Sequence, residues 1–182
     1  ASWAPVLRQW GYATFVVDSF HGRGLKQVCT AQRDLTPTQR MPDVYGALRI
    51  VATHPRVDAR RIALMGFSHG ADVALRSATQ WARDTYAAPG QPRFRAIFPF
   101  YAYCGVLFPE REKLSVPMRM HHGALDDWLA PGPCVKYVDG LRAAGQDASI
   151  TVYAGSRHGF DNASLTSGYI YLPAVDSVAG CT

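Results

Sequence analysis

Short apolar segments alternate along this chain with longer helix-like segments. The apolar segments are residues 12–17 (YATFVV), 61–65, 94–100, 117–121 and 149–153. Their near-continuous apolar character, with β-branched and aromatic residues, predicts strands that are buried on both faces. Such strands separated by helices indicate an α/β fold, a mostly parallel sheet with helices on both faces.

The helix-like segments carry their own start and stop signals. Residues 36–54 begin with Thr-Pro-Thr-Gln, which offers an N-cap, a proline at the first helical position and a glutamine at the third. Pro42 is expected to kink this helix or delay its start. Further helices are predicted over residues 69–83 and 133–144, the second ending at Gly145, a favourable C-cap residue.

Composition and charge exclude several classes of protein. The 182 residues suffice for one domain with its own core, and residues 1–182 are predicted to form a single domain. The chain is 48% hydrophobic and 18% charged, without an apolar run long enough to cross a bilayer, so no membrane partner is expected. Its net charge of +5 is spread over separate arginines without a basic stripe, so no nucleic-acid partner is expected.

The four cysteines are widely spaced and form no C-x-x-C motif, so no metal site is predicted. Cys104 follows the third predicted strand, and Cys134 opens the helix after the fourth. Because these strand exits are adjacent in a sheet wound in this order, a Cys104–Cys134 disulfide is predicted, with two buried free thiols as the alternative. A disulfide would indicate a periplasmic or secreted protein, the alternative being a cytoplasmic one. The pairing of Cys29 and Cys181 stays open.

Chemically competent side chains follow three of the predicted strands. Ser68 comes after the second strand, Asp126 and Asp127 after the fourth, and His158 after the fifth. Because active groups in such sheets lie beyond the carboxyl ends of the strands, these side chains are expected to converge. Their chain order, Ser…Asp…His, is that of the nucleophile, acid and base in an α/β-hydrolase triad.

The sequence GFSHG around Ser68 predicts a sharp strand-to-helix turn that exposes the serine. Gly66 and Gly70 are expected to leave room where the two backbones approach, and Ser68 is expected to be strained. The backbone N–H of His69 would contribute to an oxyanion hole. The alternative is an ordinary glycine-rich turn that happens to contain a serine.

These motifs together resemble the dienelactone hydrolase family of α/β-hydrolases. The segments that carry the resemblance are GFSHG at 66–70, GALDDW at 123–128, HGFD at 158–161, and WGY at 10–12 leading to VDSF at 17–20. The resemblance implies hydrolysis of a small-molecule ester or lactone through a covalent acyl intermediate, without a metal or organic cofactor. The family pattern places its acid three residues after the glycine, which selects Asp126; the alternative is Asp127.

Two features depart from that family. Its name-giving enzymes use a cysteine nucleophile, so Ser68 makes this chain similar to the serine-bearing, esterase-like members. Family members also have two or three further strands before the Trp-Gly-Tyr segment, with a loop that supplies a second oxyanion N–H. No such loop is found upstream of Gly66. The chain is therefore expected to be an N-terminally incomplete α/β-hydrolase domain, the C-terminal portion of the usual fold.

Other side chains near the strand exits have weaker signals. Four aromatic residues are expected to form an acyl pocket, or else to be core packing: Phe67, Tyr101, Tyr103 and Trp128. His121 and His122 are neighbours on one strand and point to opposite faces, so they are not expected to share a metal; one is expected to be buried and hydrogen-bonded. Asp18 is expected to cap a loop.

The predicted function is that of a serine hydrolase. Ser68 would attack a carboxylic ester or lactone, His158 would relay the proton, and Asp126 would orient His158. A peptidase of the prolyl-oligopeptidase type shares the triad order and is the alternative enzyme. A truncated, non-catalytic hydrolase scaffold that binds a ligand or partner is the alternative outside enzymes. The oligomeric state is not set by the sequence.

Overall fold

A computed structural model describes residues 3–29, 31–105, 113–163 and 165. Within these ranges, four strands form one parallel sheet whose spatial order follows the chain order. The strands are β1 (Leu64–Phe67), β2 (Ile97–Phe100), β3 (Met118–Gly123) and β4 (Ala148–Tyr153). β1 lies at one edge of this sheet and β4 at the other. The predicted α/β class is confirmed.

In the described part of the chain, five α-helices accompany the sheet. They are α1 (Trp3–Gln9), α2 (Pro37–Ala52), α3 (His69–Ser77), α4 (Gln80–Tyr86) and α5 (Gly132–Ala143). The core lies between the sheet and helices α2, α3 and α5, where large apolar side chains are 2% exposed or less: Met41, Leu48, Leu75, Ile97, Met118, Met120 and Val138. None of the helices in the described ranges has the length and apolar character to span a membrane.

Helix α2 begins as its sequence predicts. Thr36 accepts a hydrogen bond from the backbone N–H of Gln39, and the Gln39 side chain accepts one from the backbone N–H of Thr36, a complete capping box. Pro42 lies inside the helix, so the start of α2 is not delayed; the expected kink stays a prediction. Proline removes one backbone donor, and the burial of one apolar face of the helix in the core offsets the loss.

The single helix expected over residues 69–83 is two helices. α3 ends at Ser77, and Thr79 caps α4 by accepting a hydrogen bond from the Ala82 N–H (3.1 Å). Within the break, the Ala78 carbonyl accepts from the backbone N–H of Ser115 (2.8 Å). A threonine N-cap and these long-range hydrogen bonds outweigh the continuous helical pattern.

Helix α5 ends at a Schellman motif. The N–H of Gly145 donates to the backbone carbonyl of Arg142 (2.9 Å), and the N–H of Gln146 donates to the backbone carbonyl of Leu141 (3.0 Å). Gly145 has φ +74°, the left-handed conformation that glycine adopts without strain. The predicted C-cap is confirmed.

Residues 12–17 do not form the buried strand that their pattern predicts. Tyr12, Phe15 and Val16 are 55%, 60% and 75% exposed, and none of the described strands pairs with this segment. A strand needs a neighbour for its backbone N–H and C=O groups and a layer that covers its side chains. That prediction is therefore wrong, because the described sheet ends at β1.

Candidate active site

Ser68 lies at the tip of the turn between β1 and α3. Its φ of 51° and ψ of −122° are an unusual conformation for a residue with a side chain. A Cβ at Gly66 would lie 2.1 Å from the Gly70 carbonyl oxygen, so this turn requires glycine at position 66. A Cβ at Gly70 would meet nothing within 4 Å of the described structure. The expected need for space holds at Gly66 and is wrong at Gly70.

Three predicted site residues come together beyond the carboxyl ends of the strands. His158 Nε2 lies 3.0 Å from Ser68 Oγ, and His158 Nδ1 lies 2.9 Å from Asp126 Oδ2. The three side chains thus form one continuous hydrogen-bonded series from hydroxyl to carboxylate. This is the connection that lets an imidazole accept a serine proton while a carboxylate holds its tautomer.

The two neighbouring carboxylates of the acid loop have different surroundings. Asp126 is buried, and its Oδ1 accepts hydrogen bonds from the backbone N–H groups of Trp128 and Leu129 (3.0 and 2.8 Å). Burial alone would raise the pKa of Asp126, but the hydrogen bonds and the nearby His158 hold that pKa below its ordinary value. Asp127 is exposed and pairs with Arg157 (3.0 Å). The geometry thus joins Asp126, not Asp127, to the imidazole.

The acid loop and the histidine loop are held together by their backbones. The N–H of Ala124 donates to the backbone carbonyl of Tyr153 (2.9 Å), and the N–H of Leu125 donates to the backbone carbonyl of Ser156 (2.8 Å). A Cβ at Gly123 would lie 2.5 Å from the Ser156 carbonyl oxygen, so only glycine permits this approach. The spacing between Asp126 and the imidazole therefore depends on these two strand exits.

The chain is similar to known proteins in sequence and in fold. The sequence matches the dienelactone hydrolase family over residues 6–177. The chain belongs to this family. Among curated proteins, none matches this chain significantly.

Solved esterase structures share the fold of this dienelactone hydrolase family member. Thermogutta terrifontis esterase 2 phosphonylated by cyclosarin is similar with a TM-score of 0.57 at 20% identity, covering 71% of this chain and 58% of that chain. The propionate-bound form of an esterase, Est2, from the same Planctomycetes species gives 0.56 at 18%, covering 71% and 59%. Esterase PE8 gives 0.52 at 24%, covering 71% and 60%. The chain thus spans well under two thirds of the length of these esterases, which identify its fold as that of the α/β-hydrolases.

The predicted oxyanion residue of this family member, His69, is the first residue of α3. Backbone N–H groups in a first helical turn have no acceptor within the helix, which suits the His69 N–H to a developing anion. The His69 side chain points elsewhere: its Nδ1 accepts from the Arg40 guanidinium (2.8 Å). Burial, together with that positive charge, lowers the pKa of His69 to about 4 and keeps the imidazole neutral.

Two of the four predicted pocket residues lie next to the imidazole, and a third, Phe67, lies near one of them. The rings of Tyr101 and Trp128 lie 4.5 and 4.6 Å from the His158 ring, and Phe67 lies 6.3 Å from Tyr101. Tyr103 is placed differently. Its N–H donates to the Asp72 carboxylate (2.6 Å), and its ring lies against the backbone of Gly105.

The predicted disulfide is present between Cys104 and Cys134, with a Cα–Cα distance of 5.0 Å. It joins the segment that follows β2 to the start of α5, directly after the acid loop. Cys29 is exposed and has no disulfide partner among the described residues, and Cys181 lies outside them.

The remaining polar predictions concern metal binding and loop capping. His122 is fully buried and lies 3.3 Å from the Ala102 carbonyl oxygen, whereas His121 stacks on Phe100 and contacts Tyr153. No group of three or more potential metal ligands occurs in the described part of the chain. Asp18 caps its own loop by accepting from two backbone N–H groups (2.8 and 3.0 Å).

Sequence reasoning missed two polar residues of the site. Arg40 reaches His69 from α2, and Asp161 accepts hydrogen bonds from Trp3 and Tyr101. Asp161 belongs to the HGFD segment, so a carboxylate three residues after His158 was a visible signal. Arg40 has no local signal, because it lies 29 positions from its partner.

Proposed function

We propose that this chain is the catalytic portion of a serine hydrolase that cleaves a carboxylic ester or lactone through an acyl-enzyme. The observation that carries the proposal is the hydrogen-bonded series Ser68–His158–Asp126, with separations of 3.0 and 2.9 Å. Membership of the dienelactone hydrolase family and the fold shared with esterases support an ester or lactone as the substrate class.

Each group of the series has one chemical task. His158 Nε2 accepts the Ser68 proton as the oxygen attacks the carbonyl carbon. Asp126 accepts from His158 Nδ1–H and stabilises the imidazolium that forms. The tetrahedral oxyanion accepts a hydrogen bond from the His69 N–H. His158 then protonates the leaving alkoxide, and a water activated by the same imidazole hydrolyses the acyl-serine.

Substitution and labelling of Ser68 test this function. Ser68→Ala is expected to abolish hydrolysis of an activated ester such as 4-nitrophenyl acetate, and to abolish labelling by a fluorophosphonate, which reacts with activated serines. Ser115→Ala is the matched control, since the Ser115 hydroxyl bonds the Ala78 carbonyl (3.0 Å) away from the triad. Full activity in Ser68→Ala would contradict the proposal. A wild-type chain that neither turns over ester nor labels would favour a non-catalytic scaffold.

We also propose that the protein resides in the periplasm or is secreted. The support is the Cys104–Cys134 disulfide, because such bonds persist in oxidising compartments. Peptide mapping without reductant, on protein from its natural source, is expected to find the two cysteines linked. If both were free and alkylatable, the proposal would fail and the cytoplasm would be favoured.

A further inference from the structure

Asp161 is a carboxylate that the proposed mechanism does not use. It lies three residues after His158 on the same loop and is partly buried. Its Oδ1 accepts from the Tyr101 hydroxyl (2.7 Å), and its Oδ2 accepts from Trp3 Nε1–H (2.6 Å). Both oxygens of this acid are therefore engaged by donors from other parts of the chain.

Tyr101 is held in an unusual conformation directly after β2. Its φ of 44° lies in the left-handed region, which is unfavourable for a residue with a side chain. Its backbone N–H donates to the His121 carbonyl (2.7 Å), and the residue is 5% exposed. Backbone strain of this kind persists only where the surroundings enforce it, and it is concentrated at functional sites.

The imidazole of His158 needs a restraint that its two hydrogen bonds do not supply. Contacts at Nδ1 and Nε2 fix the two ring nitrogens, but the ring can still tilt about the line that joins them. The Tyr101 ring lies 4.5 Å from the imidazole at an interplanar angle of 59°. A neighbouring ring at this distance blocks the tilt, provided that the tyrosine itself cannot move.

We infer that Tyr101 is a positioning residue for His158, and that the Asp161 carboxylate holds Tyr101 in place through its hydroxyl. The inference rests on the proposed function of His158 as the base. Because Asp161 and His158 share one loop, the same hydrogen bond also ties that loop to the exit of β2. Burial and the hydrogen bond to Asp161 raise the pKa of Tyr101, so the phenol stays protonated and remains a donor. Tyr101 thus supports the base.

A double-mutant cycle tests this inference. Tyr101→Phe keeps the ring and removes the donor, whereas Asp161→Ala removes the acceptor. Each is expected to lower kcat for 4-nitrophenyl acetate about tenfold, within the loss of about 10² that a 1 Å misplacement can cause. KM is expected to stay within about twofold, because the contact is with the base and not the substrate. Asp161→Ala also removes the acceptor of Trp3 Nε1–H. The double variant is expected to lose no more kcat than Asp161→Ala alone, because both changes break the same hydrogen bond between Tyr101 and Asp161.

Tyr45→Phe is the matched control. It removes another tyrosine hydroxyl, which donates to the Ser77 carbonyl (2.9 Å) in the buried core. It is expected to leave kcat unchanged, which separates a general loss of stability from a loss of positioning. The inference is overturned if Tyr101→Phe keeps the wild-type kcat, if it raises KM alone, or if the losses in the double variant are additive.

The imidazole signals of His158 in NMR spectra decide the inference even if the wild-type chain hydrolyses no ester. These signals are assigned by their disappearance in His158→Gln. Tyr101→Phe and Asp161→Ala are expected to shift or broaden them, and Tyr45→Phe is expected to leave them in place. Unmoved signals in the first two variants would overturn the inference. Failure of ester hydrolysis and of fluorophosphonate labelling in the wild type would instead count against the proposed function.

Discussion

Strand β2 and residues 12–17 are both short apolar segments, and the structure surrounds them differently. β2 pairs with β1 on one side and β3 on the other, and its Ile97 is fully buried. Val16, in the other segment, is 75% exposed. The residues of the triad follow strands that are paired within the sheet, and none of them follows residues 12–17. An apolar pattern therefore indicates what a segment prefers, and partners on both edges decide whether it becomes a strand.

The largest difference between the strands of the sheet and residues 12–17 is expected in catalysis. Asp126 follows β3, and Asp18 follows residues 12–17. Asp126→Asn is expected to lower kcat by about 10⁴, the size of the effect when the triad acid of a serine protease is replaced, because the amide leaves the imidazole in the wrong tautomer. Asp18→Asn is expected to change kcat little, since Asp18 caps only its own loop. Steady-state kinetics with 4-nitrophenyl acetate compare the two.

Asp127→Asn is a second control for that comparison. Its carboxylate is exposed and pairs with Arg157, so kcat is expected to stay close to the wild-type value. A large loss in Asp127→Asn together with a small loss in Asp126→Asn would reverse the assignment of the acid.

A matched pair of phenylalanines tests the difference in packing. Phe100 ends β2 and is 5% exposed, whereas Phe15 is 60% exposed. Phe100→Ala is expected to lower the free energy of unfolding by about 3–5 kcal/mol, the usual loss for a buried aromatic ring. Phe15→Ala is expected to change it by no more than about 0.5 kcal/mol. Equal losses in urea denaturation would show that residues 12–17 are packed, and the comparison would break down.

The smallest expected effect concerns a helix cap. Thr36→Ala removes the acceptor for the Gln39 N–H at the start of α2 and is expected to lower the free energy of unfolding by about 1 kcal/mol. Thr14→Ala, the same change within residues 12–17, is expected to have an effect below about 0.5 kcal/mol because Thr14 is exposed. Thermal unfolding of both variants measures the two losses of stability. A loss in Thr14→Ala as large as that in Thr36→Ala would contradict this expectation.

The features that the sequence predicted correctly are those that depend on residues close together along the chain. The capping box at Thr36, the turn around Ser68 and the end of α5 at Gly145 all depend on residues within a few positions of one another. The start of β1 is later than predicted, because residues 59–61 form a 3₁₀ turn capped by Asp58.

Long-range contacts explain what the sequence could not predict. The break after α3 depends on a hydrogen bond between Ala78 and Ser115, 37 positions apart. The hydrogen bond between Tyr101 and Asp161 joins residues 60 positions apart. Neither pair has a periodic or spacing signal, since each partner takes its place only after the sheet has formed.

The order of the sheet has a consequence for assembly during synthesis. Because β1, β2, β3 and β4 are neighbours in the order in which they are translated, each strand can dock on the one that precedes it, and the contacts that close the sheet are sequential. During synthesis the N-terminal part of a chain emerges from the ribosome first. The nucleophile turn and the acid loop can therefore be in place before His158 arrives, so an unfinished chain carries a serine that has no base.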